Sequence, residues 1–356
     1  PKNEAEKSGP TGDLYQLEKV IGGVTNPWGM TFLPDSSLLY TEKSGELYRV
    51  KNGQKQAITG VPEVFFEGQG GLLDIKAHPN YAQNGWLYLT YASPKGAEAG
   101  GHTALMRAKL QNNALTQKEL LYKASPNLDN GYHFGSRIAF DNKGYLYFSI
   151  GERGKREVLP QTIQKDGGKI YRLHEDGRIP ADNPFVDSTG AKKAIFTFGH
   201  RNPQGLATHP VTGAIWEHEH GPRGGDEINI IQKGENYGWP LVSFGINYDG
   251  TVLTTDTARE GMESPIHYWV PSIAPCGMTF VTSSYYPEWQ GDLLIGSLSF
   301  MYLHRVQLSG REVIYEEKLF PKIGRMRNVQ ESPVDGFIYV GIEGNGLYKI
   351  VKAKDE

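Results

Sequence analysis

The densest run of chemically active side chains spans residues 198–240, FGHRNPQGLATHPVTGAIWEHEHGPRGGDEINIIQKGENYGWP, where cationic, acidic and histidine residues alternate with glycine and proline. Loops of this composition are where binding and catalytic groups concentrate. Arg201 and Asn202 stand just before Pro203, which biases Asn202 away from helix. A short strand is expected over 214–219, then a turn over 220–225 with three glycines and a proline. Such a turn exposes backbone carbonyls of the kind a hard cation such as calcium uses. Asp226 and Glu227 follow at once, leading into the apolar run 228–231. An ordinary strand–turn–strand hairpin with solvated charges has the same composition. Elsewhere, His133 lies in the glycine-flanked stretch GYHFGSRIAF, and imidazole is the side chain suited to accept a proton near neutral pH. Arg325 and Arg327 flank Met326; on a strand both guanidinium groups share a face, where their donor forks suit carboxylates. Two solvated arginines would show the same spacing.

Other candidates are weaker. Gln69 sits in EGQGGLLD, whose glycines allow close backbone approach. The run Glu217-His218-Glu219-His220 puts two imidazoles on one strand face without a third ligand, which reads as structural rather than as a transition-metal site. Cys276 is the single cysteine, so no intrachain disulfide is possible, and it reads as a small buried packing residue.

The elements that must position these residues are strands. In 356 residues there are 44 Gly and 21 Pro, which argues for many turns rather than long helices. A loose repeat recurs six times: an Asp-, Asn- or Gly-containing turn, then a short aromatic or β-branched run. The copies are 35–40, 84–91, 142–149, 212–216, 290–295 and 335–340. Further strands are expected over 15–21, 45–50 and 346–351, with the largest insertions at 151–195 and 244–268. The best helical candidate is 117–123. Six strand repeats without helical periodicity fit a six-bladed β-propeller, closed by pairing of the first strand with the last sheet. Residues 1–12 read as a flexible leader and 13–356 as one propeller domain. The formal charge of −3 recommends no nucleic acid, and no run approaches a membrane span. No strand–GxGxxG–helix unit, phosphate-binding P-loop or GxSxG elbow is present, which argues against nicotinamide, nucleotide and serine-hydrolase chemistry.

In this order, GHRNPQGLA, EHGP, DEIN and NYGWP resemble the soluble quinoprotein sugar dehydrogenases that use pyrroloquinoline quinone (PQQ). The likeness extends from NPWGM at 26–30 to RMR at 325–327. It implies an all-β six-bladed propeller with inserted loops, with PQQ and calcium at the top of the central tunnel. It further implies oxidation of an aldose at C1 to a lactone. His133 would be the general base and Arg201 would stabilise charge on the quinone. Gln69, Arg201, Asn202, Ser272, Arg325 and Arg327 would contact PQQ. Gly221 and Pro222 would present carbonyls to the catalytic Ca2+, and Asp226, Glu227 and Tyr237 would match a second calcium site. The partners implied are an aldose and an external electron acceptor, in a periplasmic or secreted monomer or homodimer; no export signal is present in this sequence.

Two positions depart from the family pattern. Tyr132 stands where glucose-specific members carry Asp, which points to a broader aldose range, and Ser299 stands where the family usually has Lys. Loss of one charge-assisted hydrogen bond there would weaken cofactor binding about tenfold to a hundredfold. The alternatives are a non-catalytic sugar- or protein-binding propeller and a calcium-dependent propeller lactonase. Fold alone does not separate them.

Overall fold

The computed structural model describes residues 10–354. Six four-stranded antiparallel sheets stand around a common axis. In blades 1 to 5 the strand nearest the axis comes first in sequence, whereas in blade 6 the earliest strand of the chain is the outermost. Blade 1 is Pro27–Phe32, Leu38–Glu42, Leu47–Lys51 and Gln54–Ile58; blade 2 is Leu72–Ala77, Trp86–Ser93, His102–Gln111 and Ala114–Lys123. Blade 3 is Ile138–Phe140, Leu146–Ile150, Lys169–Leu173 and Ile195–Phe198; blade 4 is Pro203–Thr208, Ile215–Glu219, Asp226–Ile230 and His267–Trp269. Pro275–Phe280, Leu293–Ser297, Leu303–Ser309 and Glu312–Leu319 form blade 5. Blade 6 takes Met326–Glu331, Ile338–Ile342 and Gly346–Lys352 from the end of the chain and Tyr15–Gly22 from its beginning.

The six sequence repeats are the second strands of the six blades. Their turns lead into apolar strands because a strand sandwiched between neighbouring blades buries both faces. The core accordingly lies between blades. Leu39 and Leu47 of blade 1 pack with Ile75 and Leu89 of blade 2. Trp216 and Ile228 of blade 4 meet Phe280 and Leu293 of blade 5. Tyr15, in the closing strand, packs with Leu294, Val340 and Ile350.

Helix is confined to the single turn Tyr81–Asn84 and two short 3-10 turns among the described residues. The expected helix at 117–123 is instead part of the strand Ala114–Lys123, paired with its neighbour from Gln111↔Ala114 to Ala104↔Lys123. Cross-strand pairing overrides the helix-forming Gln, Lys, Glu and Leu of that segment. Most of the expected leader, 1–9, lies outside the described residues. Thr11 and Gly12 are anchored: both backbone N–H groups and the Thr11 hydroxyl donate to Glu317, and Trp289 Nε1 donates to Thr11 Oγ1 at 2.6 Å.

Pairing of Tyr15↔Lys352 through Gly22↔Gly346 closes the ring. Deleting residues 15–21 removes a whole ladder and the Tyr15 ring from its cluster, so the melting temperature should fall sharply. A truncated protein that melts like the full chain would refute closure as a source of stability.

Inner strands of adjacent blades pack side by side around the axis. Arg137, at the head of blade 3's inner strand, is 3% exposed and spans their centre. Its Nε donates to the Gln204 carbonyl at 2.8 Å and its Nη1 to the Trp28 carbonyl at 2.9 Å. Nη2 donates to the Arg327 carbonyl at 2.8 Å and to Cys276 Sγ at 3.3 Å. The Asp74 carboxylate lies 3.4 Å from Nη1, and the guanidinium covers the Trp28 ring at 3.9 Å. One side chain thus touches every other blade and fills the tunnel beneath the loops that carry the candidate site.

Candidate active site

Two loops build the imidazole position. Gln69 N–H donates to the Gly131 carbonyl at 2.7 Å, and His133 N–H donates to Gln69 Oε1 at 3.2 Å. The approach demands glycine: a Cβ on Gly68, at φ +54°, would fall 2.6 Å from the Gly131 carbonyl oxygen. Gly70 and Gly71 likewise abut the backbones of Phe65 and Lys43. The glycines around Gln69 therefore serve loop–loop contact, a use the sequence did not reveal.

His133 has φ +49°, left-handed backbone that its loop must hold in place. Behind the loop, Arg153 donates to the carbonyls of Tyr132, Gly101 and Asn130 at 2.8, 2.8 and 2.7 Å and lies over the Phe134 ring. The buried Glu152 carboxylate accepts from His133 Nδ1 in a short hydrogen bond. That fixes the proton on Nδ1 and leaves the Nε2 lone pair as the basic site. Burial lowers the His133 pKa; Arg201 lowers it further, against the opposing pull of Glu152. The imidazole is therefore neutral at neutral pH.

Arg201 is 5% exposed. Its Nη1 donates to the carbonyls of His220 and Gly221 at 3.1 and 2.9 Å, and its Nη2 lies 3.4 Å from the Tyr248 hydroxyl. The N–H groups of Arg201 and Asn202 both point at Glu219 Oε2. His133, Glu152, Arg201, Pro222, Trp239 and Tyr248 together line a cavity of about 150 Å³. In this way blades 3 and 4 unite the expected base, the expected cation and one of the two expected carbonyl donors. The other, Gly221, has its carbonyl engaged by Arg201. Asn202 Nδ2 and Glu152 Oε2 are buried without a protein partner. Orphaned polar atoms of this kind call for a ligand or water.

Arg325 and Arg327 share a face, as their spacing predicts, and both bind Glu343. Nε of each donates to it at 2.7 Å, and Arg327 Nη2 makes a shorter contact. Burial works to raise the Glu343 pKa, but Arg327 and Arg325 override it and hold the carboxyl below its usual value. Ser272 Oγ, expected at the cofactor, donates to Asp226 at 2.7 Å. Asp226 also accepts from the N–H groups of Gly221 and Ala274, so its carboxylate braces the 220–225 turn.

Glu227 faces elsewhere. It lies across the ladder from Glu219, and Glu217 across from Asn229. Alternation puts all four side chains on one face. Asn229 Nδ2 reaches Glu217 and Glu227 at 3.1 and 3.3 Å. His200, stacked on the Tyr237 ring, joins Glu219 at 3.0 Å, and the ligand atoms of His200, Glu217 and Glu219 lie within 4.8 Å of one another. Among the described residues no Lys or Arg forms a salt bridge to these three carboxylates. Burial raises the pKa of Glu217 and Glu227 well above the usual value, with Glu219 adding repulsion. Tyr237 and Glu227 border the same small cleft, but the Tyr237 hydroxyl donates to the Ile230 carbonyl at 2.7 Å. The histidines of the EHEH run face the other way: Nε2 of His218 and of His220 binds the carbonyls of Gly277 and Pro275 at 3.1 and 2.6 Å.

The fold and the mouth site define the class: a six-bladed propeller presenting one neutral imidazole beside buried cations. Residues 24–350 match the family Glucose / Sorbosone dehydrogenase. The chain belongs to that family. It is 41% identical over 332 residues to the aldose sugar dehydrogenase YliI of Escherichia coli K12, covering 91% of this chain and 89% of that protein. The crystal structure of the soluble aldose sugar dehydrogenase of Escherichia coli in its apo form superposes with a TM-score of 0.90 at 37% identity, over 95% of this chain and all of that one. The PQQ-bound aldose sugar dehydrogenase of Streptomyces coelicolor gives a TM-score of 0.79 at 26% identity, over 95% and 97% of the two chains. Among the described residues no helix is long and apolar enough to cross a membrane.

Proposed function

We propose that this protein is a PQQ-dependent aldose sugar dehydrogenase that oxidises C1 to the lactone and hands electrons to an external acceptor. The observation behind this reading is the cavity that joins His133, its Glu152 partner, Arg201 and Pro222. Bound PQQ would supply the hydride-accepting carbonyl, with calcium as the neighbouring Lewis acid. Arg201, Asn202, Gln69, Arg325 and Arg327 are the groups to hold PQQ. The orphaned Asn202 Nδ2 fits an acceptor ligand, and the guanidinium groups fit carboxylates. His133 takes the C1 hydroxyl proton on Nε2, and Glu152 stabilises the imidazolium formed. Arg201 stands beside the growing negative charge. Tyr132, 60% exposed next to His133, leaves the sugar entrance open, consistent with a broad aldose range. The lactonase reading is disfavoured because the acidic cluster sits inside blade 4 while Arg137 fills the axis. A periplasmic location accords with the family.

Protein mixed with PQQ and calcium, then with an aldose and an artificial acceptor, should bleach the quinone absorption in a sugar-dependent way that vanishes in His133→Ala. Lactone hydrolysis without PQQ would instead establish the hydrolase. For Glu152→Gln the acid limb of kcat/KM is informative. In the wild type it should lie below about 6.5, the ordinary imidazole value. Because Glu152 raises the His133 pKa, its removal should shift the limb to still lower pH while lowering the maximal rate. A limb that moves upward or stays fixed would remove Glu152 from the base.

Calcium fits the Glu217–Glu219–Glu227 cluster: two buried carboxylates and a half-buried third, with Glu217 Oε1 and Asn229 Oδ1 unpartnered, match a hard cation's oxygen preference. Calcium at a hundred times its Kd should stabilise the fold by about 2.7 kcal/mol. Thermal melts should therefore rise with calcium and fall with chelator, and Glu227→Gln should blunt the response. Melts indifferent to calcium in the wild type would empty this site.

A further inference from the structure

We propose that the end of the propeller axis opposite the candidate active site holds a second ligand site, for a small carboxylate with an apolar body, in which Lys76 binds the carboxylate. The proposal stands apart from the PQQ reading. The last residue of every inner strand, Phe32, Ala77, Phe140, Thr208, Phe280 and Glu331, borders one cavity of about 760 Å³. Gln69, His133 and Arg201 precede the inner strands that begin at 72, 138 and 203, so the cavity opens at the far end of those strands. Arg137 fills the tunnel between the two ends. A cavity of this volume is in the range of small-molecule sites.

Most polar groups at this end are engaged in joining segments of the protein. Thr31 Oγ1 accepts from Ala77 N–H at 2.9 Å, Thr208 Oγ1 donates to the Phe140 carbonyl at 2.6 Å, and Thr279 Oγ1 accepts from Glu331 N–H at 3.3 Å. His78 Nε2 lies 2.6 Å from the Glu175 carboxylate, and its Nδ1 accepts from Asn80 N–H at 3.0 Å. The Glu331 carboxylate accepts from Thr282 and Ser283, in the turn after blade 5's inner strand. Lys76 differs. It follows Asp74 by two residues on one strand, so both side chains leave the same face, the one on which Asp74 meets Arg137. Its Nζ donates to Gln330 Oε1 at 3.3 Å, a contact that runs from blade 2 to blade 6 across the axial space beside blade 1. Among the described residues no carboxylate forms a salt bridge to Lys76, and Asp74 is already faced by Arg137. The three groups leave one net positive charge at the inner end of the cavity. Burial lowers the Lys76 pKa, Asp74 opposing and Arg137 adding to the effect, so a seated anion would favour the ammonium. Ala139, Leu206 and Met278, from blades 3, 4 and 5, supply an apolar wall on the other side of the ring. A carboxylate head on Lys76 and the Gln330 amide, with a hydrocarbon body against that wall, answers both halves of the cavity.

The test measures binding of octanoate, octanol and acetate to the full-length protein by calorimetry. Wild type, Lys76→Met, Lys76→Arg and, at the opposite mouth, Arg201→Gln are compared, with melting temperatures as a folding control. Octanoate should bind one to one, about tenfold to a hundredfold more tightly than octanol, the worth of a charge-assisted hydrogen bond. Acetate, which has the head without the body, should not bind at concentrations that saturate octanoate. Lys76→Met should erase the preference for octanoate over octanol, Lys76→Arg should keep it, and Arg201→Gln should leave octanoate affinity unchanged. A wild type that ignores octanoate, or takes octanol or acetate equally well, overturns the proposal. So does a preference that survives in folded Lys76→Met, or a loss in folded Arg201→Gln, which would place the probe at the mouth. The wild-type comparison and the Lys76→Arg and Arg201→Gln arms decide the matter even where Lys76→Met does not fold.

Discussion

Replacing His133 by alanine is expected to lower kcat by about 10²–10⁴-fold, the usual worth of a positioned general base, while PQQ affinity stays within a few fold. The separation follows from how the residue is held. The His133 backbone is tied to Gln69 Oε1 through its N–H, so the loop does not depend on the imidazole. Neither Arg201 nor Asn202 hydrogen-bonds the ring; both are anchored through Glu219. The ring's recorded partner is Glu152, and losing it leaves a carboxylate with room for water at the edge of the cavity. Single-turnover reduction of bound PQQ by an aldose measures the chemical step directly. A variant that reduces PQQ at the wild-type rate would show that another group takes the proton.

Arg137→Met should cost about 3–5 kcal/mol, the range seen when one member of a buried ion pair is removed. The guanidinium satisfies the carbonyls of Gln204, Trp28 and Arg327 and faces Asp74. With a thioether there, all three carbonyls lose that donor, although Trp28 keeps Asn328 Nδ2 at 3.2 Å. Asp74 keeps the Ile138 N–H at 3.0 Å but loses its cation, in a place where burial already raises its pKa. The denaturant midpoint reads the loss. Adding Asp74→Asn should recover part of it, because the second change removes the stranded charge. A midpoint equal to wild type would mean that water replaces the guanidinium without penalty.

Turn-plus-strand repeats made the six blades legible because a buried second strand needs an apolar run behind a tight turn, and each copy proved to be that strand. The strand Ala114–Lys123 was misread because nine of its ten residues, all but Leu115, are not fully buried, and its composition favours helix rather than a sandwiched strand pattern. Arg201, Asn202 and His133 were recognisable from short motifs, since loops keep their chemistry in contiguous residues. Glu152 was not. It stands 19 positions from His133, and nothing local marks its carboxylate as the one that turns inward. Tyr248, in the long insertion of blade 4, and Glu343, in blade 6, lie far along the chain from the short motifs they meet. The acidic cluster had a signal that was available but overshadowed. In EHEH the eye goes to histidines, whereas the period of two places Glu217 and Glu219 together, opposite Asn229 and Glu227.

The pairing of Tyr15–Gly22 with Gly346–Lys352 has a consequence for biosynthesis. Tyr15–Gly22 must wait until blades 1 to 5 have been synthesised before its partner exists. Until then it is an unpaired edge, open to association with other nascent chains. Blade 6 also carries Arg325 and Arg327, so that part of the rim is completed after the other five blades. Any ligand held through those guanidinium groups must therefore be acquired after all six blades have been made.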